Sequence, residues 1–154
     1  MQTPGRQFAA SELRYASDDV RAQLTLEFAG AYPAEAHLRT WVREITLERG
    51  VGVTIRDAFA LDRPAARIAL SVLTPYTVRI TEGEIIFGQS SFAGNRQTGA
   101  GALDYDTAVF DVHVETIPIT DTRMGGVWGS QLLRVVFVTR APVQQGHWQW
   151  RVRL

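Results

Sequence analysis

The fold is decided by the stretch from Ala31 to Leu61, AYPAEAHLRTWVREITLERGVGVTIRDAFAL. Apolar and polar side chains alternate along LRTWVREITL, and the alternation resumes along VGVTIRDAF after a turn at Arg49-Gly50. A period of two residues, bounded by turn residues, is typical of half-buried strands. The stretch therefore predicts a long β-hairpin, which the chain enters through a corner at Tyr32-Pro33.

Two charged residues of the hairpin, Arg43 and Asp57, are in phase with the apolar side chains of their strands. Each residue either ends the buried part of its face or lies inside the sheet beside a partner. In the second case the pair would favour one register, because a shift by one residue moves every side chain to the opposite face. Both interpretations stay open at the level of the sequence, and a double-mutant cycle separates them.

The rest of the chain continues in short β-prone segments, with turn signals about every 8 to 12 residues and almost no helical periodicity. We predict an all-β fold, an antiparallel two-sheet β-sandwich of about ten strands, with a closed barrel as the alternative. The predicted strands outside the hairpin are 8–15, 22–28, 67–73, 76–80, 84–87, 108–119, 131–139 and 146–154. Between them we predict a turn at 62–64, a mobile loop at 88–101 and a loop at 121–130.

The composition describes an ordinary globular protein. With 154 residues, 45% of them hydrophobic, the chain is predicted to form one domain, 1–154, that needs no metal or disulfide to fold. Its 16 basic residues balance 16 acidic ones, so nucleic acid is not an expected partner. No apolar run reaches membrane length, and the start, MQTPGRQF, does not resemble a signal peptide. Met1 is expected to start a piece of a larger protein, the alternative being a natural short protein.

A search for catalytic patterns gives no site. The three histidines, His37, His113 and His147, lack metal-ligand spacing, and cysteine is absent. No nucleophile elbow, phosphate loop or dinucleotide motif is present. Asp104 and Asp106 flank a tyrosine, a weak signal for acid-base or calcium chemistry. We therefore predict no catalytic, cofactor-binding or metal-binding residue in this chain.

Trp148 and Trp150 share one face of the last predicted strand. Exposed aromatic rings would form a platform for stacking on sugars. Alternatively both rings belong to the core, which we favour because theirs is the only apolar face of that strand. The two interpretations differ in whether the rings are exposed.

Six motifs occur in a fixed order along the chain: GRQFAA from Gly5, Ala31-Tyr32-Pro33, WxRxIxLxR from Trp41, VxIxDxF from Val53, DxR from Asp121 and WGxxLxR from Trp128. This ordered set resembles the β-sandwich part of heparinase II/III-like polysaccharide lyases. The motifs cover most of the chain. The resemblance implies that the chain is the C-terminal part of the sandwich region, without the catalytic helical toroid.

The resemblance also implies what the parent protein does. Lyases of this family depolymerise acidic polysaccharides by β-elimination, in which a base removes the C5 proton of a uronic acid. Their catalytic tyrosine and histidines, and a divalent metal where one is found, belong to regions that precede this one. The expected partners are therefore the toroid domain of the parent and an acidic polysaccharide, and the parent is expected to be bacterial and periplasmic or secreted.

Within this chain the resemblance implies a non-catalytic scaffold. The predicted fold determinants are Tyr32, Trp41, Arg43, Asp57, Trp128 and Arg134. The candidate sugar contacts are Arg6, Arg14, Arg96, Trp148 and Trp150. Two other functions stay open, a freestanding carbohydrate-binding module and a structural interaction domain that self-associates, as a homodimer, through an exposed edge.

Overall fold

The computed structural model describes Gly5 and residues 8–89, 91–92, 96–97 and 99–153, with the side chains of 91–92 and 96–97 excepted. The chain forms two compact units, one from the described part of Met1–Ala66 with Ala141–Arg153 and the other from Arg67–Arg140. Both units consist of antiparallel strands. The predicted class, an all-β antiparallel two-sheet sandwich, is confirmed. The single domain over 1–154 stays a prediction.

The first unit contains the predicted hairpin. Its strands are β1 (Ser11–Ser17), β2 (Arg21–Glu27), β3 (Leu38–Glu48), β4 (Gly52–Ala65) and β13 (Val143–Arg153), paired in the order β1-β2-β3-β4-β13. The hairpin is β3–β4, with Trp41 opposite Phe59 and Arg43 opposite Asp57. Single 3₁₀ turns at Ala29–Ala31 and Ala34–Ala36 form the corner in front of it.

The register of the first unit separates an apolar face from a polar one. Directly opposite residues of antiparallel strands lie on the same face. Leu24, Ile45, Ile55 and Trp150 form one such apolar row across β2, β3, β4 and β13. The buried hydrophobic residues of this face include Trp41, Phe59, Trp148 and Trp150. The sheet therefore buries the side that the alternation of the sequence predicts.

The second unit is built of shorter strands. They are β5 (Ala69–Thr74), β6 (Val78–Thr81), β7 (Glu84–Phe87), β8 (Ser91–Phe92), β9 (Arg96–Gln97), β10 (Gly101–Asp104), β11 (Phe110–Pro118) and β12 (Gln131–Thr139). One sheet has the order β11-β12-β5, β7 pairs with β6 and β10, and β8 pairs with β9. The core of the unit contains Ile85, Leu103, Phe110, Val135 and Phe137.

The described residues form three more strands than the predicted ten, and all three come from one segment. Strands β8, β9 and β10 lie between residues 91 and 104, where we predicted mainly a mobile loop. Residues 90, 93–95 and 98 of that loop lie outside the described residues. Elsewhere the observed strand boundaries differ from the predicted ones by a few residues. For example, the strand predicted at 8–15 is Ser11–Ser17.

The turn predicted at Asp62-Arg63-Pro64 is wrong. Strand β4 continues through these residues to Ala65. The ladder between β4 and β13 shifts here, with Ala60 opposite Gln145 and Ala65 opposite Val143, so the extra residues form a bulge. A bulge tolerates proline because it interrupts the ladder of backbone hydrogen bonds. The turn residues therefore mark an irregularity inside a strand.

The loop predicted at 121–130 is also wrong, because it contains the short helix α1 (Thr122–Trp128). The Asp121 carboxylate accepts hydrogen bonds from the backbone N–H groups of Arg123 and Met124, at 2.8 and 2.9 Å. Gly129 ends the helix at a positive φ of 85°. The Asp121 contacts form a regular N-cap, and the positive φ of Gly129 is a conformation that glycine adopts without a Cβ penalty. No helix in the described part of the chain has the length and hydropathy needed to cross a membrane.

Gly52 is required where β4 begins beside the end of β13. Its φ is +152°, and a Cβ atom there would overlap the carbonyl oxygen of Val152. We expect Gly52→Ala to lower the free energy of unfolding by about 3 kcal/mol, combining backbone strain and steric overlap. Gly50 is the matched control, because it has φ +78° but no atom within 4 Å of a built Cβ. Gly50→Ala should cost about 1 kcal/mol, and equal losses in urea unfolding would contradict the steric argument.

Candidate functional site

The charged pair of the hairpin lies inside the sheet. Arg43 Nε donates to Asp57 Oδ1 at 2.7 Å, and Arg43 Nη2 donates to Asp57 Oδ2 at 2.8 Å. The Asp57 side chain is 0% exposed and that of Arg43 is 31% exposed. Two parallel bonds to one carboxylate form the strongest common type of ion pair. Of the two interpretations of the sequence, the paired one is confirmed.

Trp41 completes this network. Its indole Nε1 donates to Asp57 Oδ1 at 3.0 Å, so the buried carboxylate accepts three hydrogen bonds. The guanidinium carbon of Arg43 lies 5.2 Å from the centre of the Phe28 ring, within cation–π range. Because Asp57 is 1% exposed, a solute does not reach its carboxylate. The network stabilises the sheet and is not a binding site.

Trp148 and Trp150 are 8% and 6% exposed, so neither ring offers an open face to a sugar. The Trp148 ring lies 4.4 Å from Phe59 and 5.7 Å from Trp41, measured between centroids. The core interpretation therefore describes both tryptophans, and the exposed platform is not formed.

Tyr32 is 41% exposed, with its ring 6.0 Å from Phe28 at the edge of the cluster.

The two predicted fold determinants of the second unit, Trp128 and Arg134, lie nearer the surface. Trp128 ends α1 and is 44% exposed. Arg134 Nε donates to Glu115 Oε2 at 2.8 Å, and His113 Nε2 lies 3.2 Å from Glu115 Oε1. The Arg134 hydrogen bond, followed by that of His113, lowers the pKa of the Glu115 carboxyl below its usual value. The charged Glu115 carboxylate therefore stabilises the fold at neutral pH. Its contribution to stability is lost as the pH falls through the lowered pKa.

The polar face of the first unit is the strongest candidate for a binding surface. We define it as two neighbouring cross-strand rows. One row is Arg14, Thr25, Glu44, Arg56 and Gln149, and the other is Gln23, Thr46, Thr54 and Arg151. Strands lie about 4.8 Å apart, so each row crosses the sheet as a line of evenly spaced polar groups.

Hydrogen bonds connect the polar face across four strands. Gln23 Nε2 donates to Glu44 Oε2 at 2.6 Å, and Arg56 Nη1 donates to Glu44 Oε1 at 2.9 Å. Arg56 Nε donates to Gln149 Oε1 at 3.0 Å. These bonds orient planar guanidinium and amide groups before any ligand arrives. Pre-oriented groups lose less conformational entropy on binding than free side chains.

The charge of the polar face favours an anion. Its three arginines exceed its single glutamate, which gives a net charge of +2. Arg14 and Arg151 have no acidic hydrogen-bond partner among the residues that the structure describes. Thr46 Oγ1, also on this face, is buried and has no hydrogen-bond partner among those residues. Free guanidinium groups beside amides suit carboxylates or sulfates on a hydroxyl-rich chain.

Of the predicted sugar-contact arginines, the structure places only Arg14 on the polar face. Arg6 and the Arg96 side chain lie outside the described residues. Arg56, Gln149 and Arg151 were missed as candidates. Gln149 and Arg151 could have been recognised from the sequence, because they alternate with Trp148 and Trp150 and so lie on the opposite side of β13. Their proximity to Arg56 depends on the pairing of β13 with β4, which the local sequence does not encode.

The described residues contain no group of three or more aspartate, glutamate or histidine side chains arranged to hold a metal ion. Asp104, one of the carboxylates singled out in the sequence, lies at the end of β10, and Asp106 follows in the next turn. The Asp106 carboxylate accepts a hydrogen bond from the backbone N–H of Ala108 at 2.8 Å. Within the described part of the chain, the side chains do not fit a divalent metal, so we assign no chemistry to one.

No protein-family model matches the chain, and no curated protein matches it. A solved structure does match, the crystal structure of a heparan sulfate lyase HepC mutant from Pedobacter heparinus. The TM-score is 0.63 at 10% sequence identity, over 94% of this chain and 21% of that chain. The likeness shows the fold alone. It supports a heparinase-like fold, while the position of the chain in the C-terminal part of such a protein stays a prediction.

Proposed function

We propose that this chain is a non-catalytic β-sandwich of a heparinase II/III-like polysaccharide lyase. In this role it scaffolds the catalytic domain and the substrate cleft. The observation that carries the proposal is the likeness of 94% of the chain to part of a heparan sulfate lyase. The motif order of the sequence supports the same family. The buried network of Arg43, Asp57 and Trp41 supports a scaffold, because it links the two strands of the central hairpin.

The substrate of the parent is an acidic, uronate-containing polysaccharide, which is cut by β-elimination. The base, the group that protonates the leaving oxygen and any divalent metal belong to other parts of the parent. The helical toroid domain is the proposed intramolecular partner, and the parent is proposed to be bacterial and periplasmic or secreted. Nucleic acid and membranes are not proposed as partners, since the charges of the chain balance.

The polar face is the surface through which this chain contacts the polysaccharide. Arg56 and Arg151 lie on the neighbouring strands β4 and β13, where they contact carboxylates or sulfates, and Gln149 contacts hydroxyl groups. Exposed charge pairs contribute only about 0.2–1 kcal/mol each. The isolated chain should therefore bind weakly, with a dissociation constant of about 1 mM or higher. Binding should weaken as salt rises, because exposed charges are screened.

Replacing Arg56 and Arg151 together by glutamine should weaken binding of a heparan sulfate oligosaccharide by about tenfold. The loss follows from removing two exposed cations from one surface. Calorimetric titration at low salt measures it. Arg63→Gln is the matched control, because Arg63 is an exposed arginine of the same unit that lies outside the polar face. Equal affinities of the two variants would contradict the assignment of the polar face.

The non-catalytic part of the proposal is tested by incubating the isolated chain with acidic polysaccharides. No new absorbance from unsaturated uronate should appear. Measurable turnover that persists through repeated purification would overturn the proposal.

A freestanding carbohydrate-binding module is the second candidate function. It is favoured by one observation, that strands of the first unit alone form the complete polar face. Such a module must bind without help from other domains, so its dissociation constant should be micromolar rather than millimolar. The same titration separates the two functions.

A further inference from the structure

Strand β1 is an open edge. All seven residues of Ser11–Ser17 are exposed, and among the described strands β1 pairs only with β2. Leu13 and Tyr15 are 70% and 68% exposed. An edge of this kind presents a row of unpaired backbone N–H and C=O groups and is a template for another strand.

The two halves of β1 differ in their capacity to accept a strand. In the first half the register shifts between Ser11 and Arg14, and Glu12 has a positive φ of 51°. Such a bulge interrupts regular pairing. The second half, from Arg14 to Ser17, pairs with β2 without interruption. Asp18 continues it, since its N–H donates to Arg21 O at 2.8 Å.

This regular segment, Arg14-Tyr15-Ala16-Ser17-Asp18, is complementary to itself. Its basic residue lies two positions before Ala16 and its acidic residue two positions after, so both point to the same face. We propose that two copies of this chain pair through antiparallel β1 edges about a twofold axis at Ala16. Each Arg14 then lies opposite Asp18 of the second copy. Each Tyr15 lies opposite Ser17 of the second copy, which is small enough to leave room for the ring.

Charge favours this register over its neighbours. An axis at Ser17 would set Arg14 opposite Val20 and Asp18 opposite Ala16 of the second copy, so both ion pairs would be lost. An axis at Arg14 would set two arginines opposite each other, and an axis at Tyr15 would set Glu12 opposite Asp18 of the second copy. Like charges directly opposite across strands are destabilising. Backbone hydrogen bonds from Arg21, and then Val20, lower the pKa of the Asp18 carboxyl, so this group is charged at neutral pH, as an ordinary aspartate is. The pairing is isologous, so it closes as a dimer.

The dimer does not depend on the proposed lyase-related function. A single strand edge buries less surface than the roughly 1,200 Å² of a stable complex, so the dimer should be weak and exchange rapidly. Sedimentation velocity across a concentration series should show the average mass rising toward two copies. Arg14→Glu should weaken association by roughly tenfold, because two attractions become two repulsions.

The controls separate the edge from other sources of association. Arg63→Glu, which changes charge equally away from β1, should leave the dimer unchanged. Asp18→Asn keeps an oxygen that accepts the turn hydrogen bonds but removes the charge, so it should weaken association less than Arg14→Glu. A wild-type chain that stays monomeric at millimolar concentration would overturn the proposal. So would an Arg14→Glu variant that dimerises as strongly as the wild type.

Discussion

Replacing Asp57 by alanine is expected to lower the free energy of unfolding by about 3–5 kcal/mol. The substitution leaves the part-buried Arg43 guanidinium and the Trp41 indole N–H without their shared acceptor. An unpaired cation and an unpaired donor in the interior both carry a desolvation penalty. Total stabilities of domains this size are about 5–15 kcal/mol, so the variant should remain folded but be close to its limit.

Urea unfolding followed by far-UV circular dichroism measures this effect without relying on Trp41 fluorescence. Asp62→Ala is the matched control, since Asp62 pairs with Arg39 at 3.3 Å but both side chains are about 60% exposed. Its effect should stay within about 0.5 kcal/mol. A double-mutant cycle with Arg43→Ala should give a coupling of about 1–3 kcal/mol. A coupling near zero would remove the pair as a determinant of register.

The second large effect is expected for Phe59→Ala, again about 3–5 kcal/mol. The Phe59 ring lies 4.8 Å from that of Trp41 and 4.4 Å from that of Trp148. It also covers Gly146, whose built Cβ would lie 3.2 Å from two ring carbons. Alanine would leave a cavity between two large indoles that are held by neighbouring strands. Such rigid walls relax little, which raises the loss of stability.

The control for Phe59→Ala is Tyr15→Ala, an aromatic truncation on the same sheet at a position that is 68% exposed. Measured at low protein concentration, this change should alter stability by less than about 0.5 kcal/mol. Phe59→Leu should lose less than Phe59→Ala because it refills part of the cavity. A loss below about 1.5 kcal/mol for Phe59→Ala would show that the aromatic cluster is not the centre of this core.

What could be predicted from the sequence was mostly local. The hairpin and the in-phase positions of Arg43 and Asp57 follow from alternation between neighbours in the chain. The sequence contains the capping residues of the helix after Asp121. However, Gly125 and Gly126 have low helix propensity, so the helix was not predicted. The strand that runs through Pro64 was hidden for a different reason. A turn and a bulge use the same residue types, and only the partner strand distinguishes them.

The polar face was the least predictable feature. Arg14, Arg56 and Arg151 belong to three strands, and Arg151 is far from Arg56 in the chain. They share a face because β13 pairs with β4, a contact between the end of the chain and its middle. The alternation along a strand shows on which face of the sheet a residue lies. It does not show which other strand is the neighbour of that strand. The buried network was easier to foresee, since its members come from one hairpin.

The most direct test of the central claim is a titration of the isotopically labelled chain with a heparan sulfate oligosaccharide, followed by NMR. We predict that amide shifts concentrate around Thr54–Arg56 and Gln149–Arg151, with saturation at millimolar ligand, while the oligosaccharide stays intact. Shifts confined to other surfaces, or no shifts at millimolar ligand, would contradict a polysaccharide-binding sandwich. The alkene proton of an unsaturated uronate appearing during the titration would contradict a non-catalytic one.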